Sequence, residues 1–170
     1  DIAKLHKVAL NKSFLSNFSQ EVLEIFYESI DRSKKNKLVY LYDDESLVGY
    51  VSIGVSLKEA YSLMFRKPLK LIKSLIPQIF NPKFIFGILE SFFHNNSQAL
   101  ANDIPEAELF HIAVEENYRG TGASEKIFVK ACKHVMDLSV ESFKINVGSE
   151  LDKAHSFYSK MGCYKIGKTR

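Results

Sequence analysis

Residues 109–138 carry the pattern that most restricts what this chain can fold into. Leu109-Phe110-His111-Ile112-Ala113-Val114 is an apolar run closed by the polar stretch Glu115-Glu116-Asn117, and it reads as a strand. Arg119-Gly120-Thr121-Gly122 is a turn. From Thr121 to Leu138, Ile127, Phe128, Ala131, Cys132 and Val135 recur at helical spacing. A strand that passes through such a turn into a helix leaves the first backbone N–H groups of the helix pointing outward, with the positive end of the helix dipole behind them. That is an anion site. Gly120 and Gly122 let an anion approach the backbone, and Arg119 adds a permanent positive charge. The ligand implied is a pyrophosphate or a similar group. The spacing is neither that of a P-loop nor the GxGxxG dinucleotide fingerprint. Taken alone, the turn is also what an ordinary strand-to-helix connection uses.

The rest of the chain reads as α/β with a mixed sheet. Phe14 to Ile30 has the spacing of one helix, through Phe18, Val22, Leu23, Ile25, Phe26 and Ile30. Leu38–Tyr42 and Leu47–Val55 form a hairpin around Asp43-Asp44-Glu45-Ser46. Phe143–Val147 is a further strand, and Asp152–Met161 a short helix. Between the hairpin and the 109–114 strand lies a segment at about 57–105 with two apolar stripes, Leu69 to Phe80 and Phe84 to Phe93. Pro68 and Asn81-Pro82 look like helix starts there, and Pro77 a kink. With 170 residues, 46% of them apolar, the chain is expected to form a single domain over 1–170 with this helical segment inserted.

Charge and cysteines narrow the function classes. A net charge of +3 gives no reason to expect nucleic acid as a partner. Cys132 and Cys163 belong to no CxxC pair and no Cys/His cluster, so no metal site and no disulfide framework is expected. Two isolated cysteines, with no apolar leader in Asp1–Leu10, fit a cytoplasmic protein. The opening on Asp1 and the ending at Arg170 are what a trimmed segment would show.

Two motifs stand in order along the second half. Ile112-Ala113-Val114 precedes Arg119-x-x-Gly122-x-Ser124, and Ala154-x-x-Phe157-Tyr158-x-x-Met161-Gly162-Cys163 follows. Together they resemble the signatures of the GNAT acetyltransferase superfamily, with Ser124 where Gly or Ala is usual and Cys163 where Phe is usual. The resemblance is specific over Glu108 to Tyr164 and looser over the hairpin.

The resemblance implies a GNAT-like fold: a mixed, mostly antiparallel sheet with a splayed parallel pair, flanked by helices, plus the inserted helical segment. It implies acetyl-CoA as acyl donor and no metal. The pantetheine arm would lie between the 109–114 and 143–147 strands. The pyrophosphate would rest on the backbone of Arg119, Gly120, Thr121, Gly122, Ala123 and Ser124. Ile112, Ala113 and Val114 would line the thioester, with a backbone N–H near Ala113 or Val114 polarising its carbonyl. The amine would attack directly, so neither cysteine is needed as a nucleophile. Tyr158 matches the position of the general acid that protonates the departing thiolate; a core aromatic on an amphipathic helix is the plainer reading.

The base is less determined. One branch of the family, which acetylates ribosomal-protein N-termini, places Glu where this chain has Asn146, and an Asn where it has Leu151. Glu106, Glu108 and His111 are the nearby candidates, with Glu90 and His94 in the insert. Simple alternation puts Leu109, His111 and Ala113 on one strand face and Phe110, Ile112 and Val114 on the other.

The implied activity is N-acetylation of a small amine, an amino sugar being the favoured type. A protein or peptide amine and a non-catalytic acyl-CoA-binding module are the alternatives. Arg66, Lys67, Lys70, Lys73 and Lys83 make the insert basic, so it could steer an anionic acceptor, rest peripherally on an anionic membrane, or simply cover the sheet. A homodimer is also left open.

Overall fold

The computed structural model describes residues 1–66, 71, 104–137 and 139–167. The expected stripes at 69–80 and 84–93, with Glu90 and His94, therefore lie outside the described residues. The element order is α1 (Ile2–Ala9), a short 3-10 turn (Phe14–Asn17), α2 (Gln20–Arg32), β1 (Asn36–Asp43), β2 (Ser46–Gly54), α3 (Leu57–Phe65), β3 (Glu108–Val114), α4 (Ala123–Asp137), β4 (Lys144–Ile145) and α5 (Asp152–Lys160).

The single helix expected over 14–30 is two pieces. Ser13 caps the 3-10 turn by accepting the Ser16 N–H at 3.3 Å. The chain then runs extended through Phe18 and Ser19, and Ser19 caps α2 by accepting the Val22 N–H at 3.4 Å. Apolar spacing continues across this break, which is why periodicity alone did not show it. Helix α1 was not anticipated, and α3 lies at the start of the segment at about 57–105.

The strands form one sheet in the order β1-β2-β3-β4, with β1–β2 and β2–β3 antiparallel and β3–β4 parallel. Asp44 takes a left-handed φ of 50° in the tight turn of the β1–β2 hairpin, a conformation that Asp tolerates. Two irregularities set which side chains face where. Leu41 pairs with Gly49 and Tyr42 with Leu47, so Val48 is an extra residue in β2. Ser52 pairs with His111 and Ile53 with Leu109, so Phe110 is an extra residue in β3.

The bulge at Phe110 corrects the alternation expected for this strand. Leu109, Ile112 and Val114 pack on one face with Ile127, Phe128, Ala131 and Val135 of α4. Ala113 packs on the other face with α1 and α2, and His111 lies beside Phe26 and Tyr27 of α2. An inserted residue advances the period-two pattern by one, so Leu109 changes sides relative to His111. Each face has its own core. Full burial of a side chain such as Ile30 on one side or Ile127 on the other, both 0% exposed, contributes about 1.5–3 kcal/mol.

A polar cluster sits inside the α1/α2 layer. His6 of α1 is fully buried; its Nδ1 lies 2.6 Å from the Tyr27 hydroxyl and 2.8 Å from that of Tyr50, and its Nε2 is 2.9 Å from Ser13 Oγ. The His111 ring stands edge-on to His6 at 5.3 Å, and its Nδ1 is 3.1 Å from Ser52 Oγ. Burial, with Lys7 nearby, lowers the His6 pKa to about 4. Burial and the neighbouring His6 lower that of His111. Both rings are therefore neutral at pH 7.

The sign of the pH effect on stability follows. As pH falls below the ordinary histidine value of 6.5, the unfolded chain binds protons that the folded chain refuses. Stability then falls by up to about 1.4 kcal/mol per pH unit per histidine until the folded pKa is reached. Denaturant midpoints measured from pH 7 to pH 5 should decline steeply, and His6→Gln, which hydrogen-bonds but does not titrate, should roughly halve that slope. An unchanged slope in the variant would remove His6 from the account.

Candidate active site

The site forms where β3 leaves its parallel neighbour. β3 and β4 pair only at Glu108↔Lys144 and Leu109↔Ile145. From His111 to Val114, β3 continues with β2 on one edge and no β4 ladder on the other. The strand expected over 143–147 is therefore only Lys144–Ile145, because the two chains diverge past it.

Register fixes which backbone groups face that opening. The Glu115 N–H donates to the Val48 carbonyl at 2.8 Å. Residues two and four back, Ala113 and His111, share its phase and pair toward β2. Ile112 and Val114 have the opposite phase, so their N–H and C=O groups point toward β4. Of the two N–H groups expected to meet a thioester, that of Val114 faces the gap and that of Ala113 is turned toward β2.

The anion loop lies at the end of the same strand. Gly120 and Gly122 have φ of 78° and 87°, values in the left-handed region that glycine alone adopts without strain. A Cβ built at either meets nothing within 4 Å, so open space fronts the turn. The Lys126 N–H donates to the Gly122 carbonyl at 3.0 Å, which starts α4 there. The N–H of Arg119 is used by Glu116 and that of Thr121 by Tyr118. Those of Gly120, Gly122, Ala123 and Ser124 have no acceptor among the described residues, and together with the helix dipole they fit a pyrophosphate. Two side chains brace the loop: Arg119 Nε donates to the Val114 carbonyl at 3.3 Å, and the Tyr118 hydroxyl donates to Asp43 of the hairpin turn at 2.8 Å.

Glu108 and His111 share the face of β3 opposite α4, another consequence of the bulge at Phe110. Glu108 is partly buried, accepts a hydrogen bond from the Asn146 side-chain amide at 2.7 Å, and lies 3.9 Å from Lys144 Nζ. Burial raises its pKa, while Asn146 and Lys144 pull the other way. Sequence reasoning treated Asn146 as a lost carboxylate. In the structure Asn146 instead holds the Glu108 carboxylate beside it, so a carboxylate is present at this end of the gap. Glu106 is exposed just ahead of β3.

Tyr158 lies on the α4 face. Its ring packs on Phe128 at 6.0 Å and Phe157 at 5.2 Å, and burial, with Cys163 nearby, pushes its hydroxyl up to about 12. It is thus a protonated phenol at neutral pH. Glu108 thus lies on the face of β3 opposite α4, and Tyr158 on the α4 side. Among the described residues, no group of three or more His, Cys, Asp or Glu side chains could hold a metal ion.

The sequence profile of the acetyltransferase (GNAT) family matches residues 6–163. No curated protein matches the sequence. Several solved structures share the fold at low identity. The aminoglycoside antibiotic 6'-N-acetyltransferase AAC(6')-IG of Acinetobacter haemolyticus superposes with a TM-score of 0.58 at 10% identity, over 91% of this chain and 80% of its own. The ribosomal-protein-alanine N-acetyltransferase of Brucella melitensis biovar Abortus 2308 gives 0.53 at 11% identity, over 99% and 90%. A GCN5-related glucosamine N-acetyltransferase region of a fungal multi-domain β-N-acetylglucosaminidase gives 0.52 at 13% identity, over 95% of this chain and 16% of that one.

Proposed function

The chain belongs to the acetyltransferase (GNAT) family, and we propose that it moves the acetyl group of acetyl-CoA directly to a primary amine on a small molecule such as an amino sugar. The observation that carries this reading is the end of the β3–β4 pairing at Leu109 and Ile145, with the Gly120–Ser124 turn following β3, Tyr158 on the α4 side and Glu108 on the opposite face of β3.

In this reading the donor's pyrophosphate rests on the amides of Gly120, Gly122, Ala123 and Ser124, and its thioester lies along Ile112 to Val114. The Val114 N–H polarises the carbonyl and stabilises the charge that develops on its oxygen. The acceptor arrives from the α1/α2 face, where Glu108 takes a proton from the ammonium. The amine nitrogen bonds to the carbonyl carbon, the carbon–sulfur bond breaks, Tyr158 gives its proton to the leaving thiolate, and the second proton shed by the new amide nitrogen passes through solvent to restore the phenol. His111 stands next to Glu108 on the same face as a neutral imidazole and contacts the acceptor.

Two fold relatives are named for acetylating amino-bearing sugars or aminoglycosides and one for a protein alanine. The small-amine reading is favoured because the carboxylate here comes from Glu108, with Asn146 at the position where the ribosomal-protein branch carries Glu. The test is a panel of amino sugars, polyamines, amino acids and short peptides incubated with acetyl-CoA and analysed by mass spectrometry. Gain of one acetyl group on an amino sugar is the expected result. Acetylation of peptides alone would overturn the small-molecule acceptor, and no acetylation of any amine would favour a non-catalytic acyl-CoA-binding module.

A further inference from the structure

The anion loop carries one charge of the wrong sign. Glu125 is the acidic residue in the first turn of α4, directly after the amides of Ala123 and Ser124. Its carboxylate turns back onto its own backbone N–H, the next donor after those of Ala123 and Ser124. An uncompensated carboxylate at this place opposes a polyanionic ligand.

Lys160, the last residue of α5, reaches Glu125 from outside: its Nζ lies 2.9 Å from Glu125 Oε1. The lysine side chain is 71% exposed and that of Glu125 33%, so the pair adds little to the stability of the fold. It does set the net charge at the loop, because the lysine cation offsets the Glu125 carboxylate. The pair also ties α5, none of whose residues is fully buried, to the helix that begins at the anion loop. Tyr158 is two residues before Lys160 on that helix.

We propose that Lys160 is a positioning residue for the donor: paired with Glu125, it neutralises the carboxylate in the first turn of α4 and so admits a pyrophosphate to the Gly120–Ser124 amides. This rests on the reading of that loop as the coenzyme A site. Removing the lysine charge and removing the glutamate charge should therefore have different effects, although each breaks the same ion pair.

The test is calorimetric titration of coenzyme A into the wild-type chain, Lys160→Gln, Glu125→Gln and the double variant, at low and at raised salt. Lys160→Gln is expected to weaken binding about five- to tenfold at low salt, with the loss shrinking as salt screens Glu125. Glu125→Gln should bind as tightly as wild type or more tightly, and the double variant should return to within about twofold of it. Equal weakening by both single changes would reduce the pair to a structural tie and overturn the proposal. So would four indistinguishable affinities. Failure of the wild-type chain to bind coenzyme A would overturn the reading of the loop itself, a result distinct from the other two.

Discussion

Replacing Glu108 with glutamine is expected to lower kcat for acetyl transfer by about a hundredfold or more, while the KM for acetyl-CoA stays near its wild-type value. Glutamine has the shape of glutamate and can still accept the Asn146 hydrogen bond that now spans 2.7 Å, so the strand end keeps its geometry. What it loses is the capacity to take a proton. In the proposed mechanism the donor rests on the Arg119–Ser124 loop, which the substitution does not touch.

The pH profile gives a second readout of the same residue. Burial raises the Glu108 pKa above its ordinary value, and in the proposed mechanism the ionised form is the base. Activity of the wild-type chain should therefore fall as pH drops through that raised value, and the acidic limb should vanish in Glu108→Gln. A variant that keeps turnover within about threefold of wild type, or that loses rate but keeps the limb, would assign the proton to another group.

Much of the turn into α4 was legible in the sequence because it depends on local chemistry. Gly120 and Gly122 announce a turn with positive φ, and the apolar spacing after them announces α4. The order of the strand, the loop and the Ala154 to Gly162 motif identified the family. The placement of Glu108 and His111 depends on register, which periodicity does not reveal. The single extra residue at Phe110 moves His111 and Ala113 away from Leu109 and puts Glu108 and His111 on the same face. The partnership of Asn146 with Glu108 spans 38 residues of sequence and comes from just two rungs of parallel pairing, Glu108↔Lys144 and Leu109↔Ile145. The break before α2 was hidden by apolar residues on both sides of Ser19, although the serine itself, a favoured cap, was a visible signal. The buried cluster around His6 had no local signature, since its members come from α1, the turn after it, α2 and β2.

Gly122→Val is expected to have the other large effect, on the donor rather than on the chemistry. Gly122 holds φ at 87°, where a β-branched residue is strained by roughly 1–3 kcal/mol. Its position fronts open space, so a side chain there would not clash within the protein but would stand where a phosphate must approach. The two effects act together, by misdirecting the amides of Gly122, Ala123 and Ser124 and by covering them. A loss of affinity for coenzyme A of about thirtyfold or more is expected, at only a modest cost in thermal stability. Gly122→Ala, with a smaller side chain and less strain, should fall between the two.

Titration of coenzyme A into the wild-type chain and Gly122→Val, with folding of both checked by their melting curves, tests the account most directly. Saturable binding at one site is expected in the wild type, with its near loss in a variant that remains folded. Equal binding by the two proteins, or no binding by a folded wild-type chain, would contradict the assignment of the Arg119–Ser124 loop to the donor.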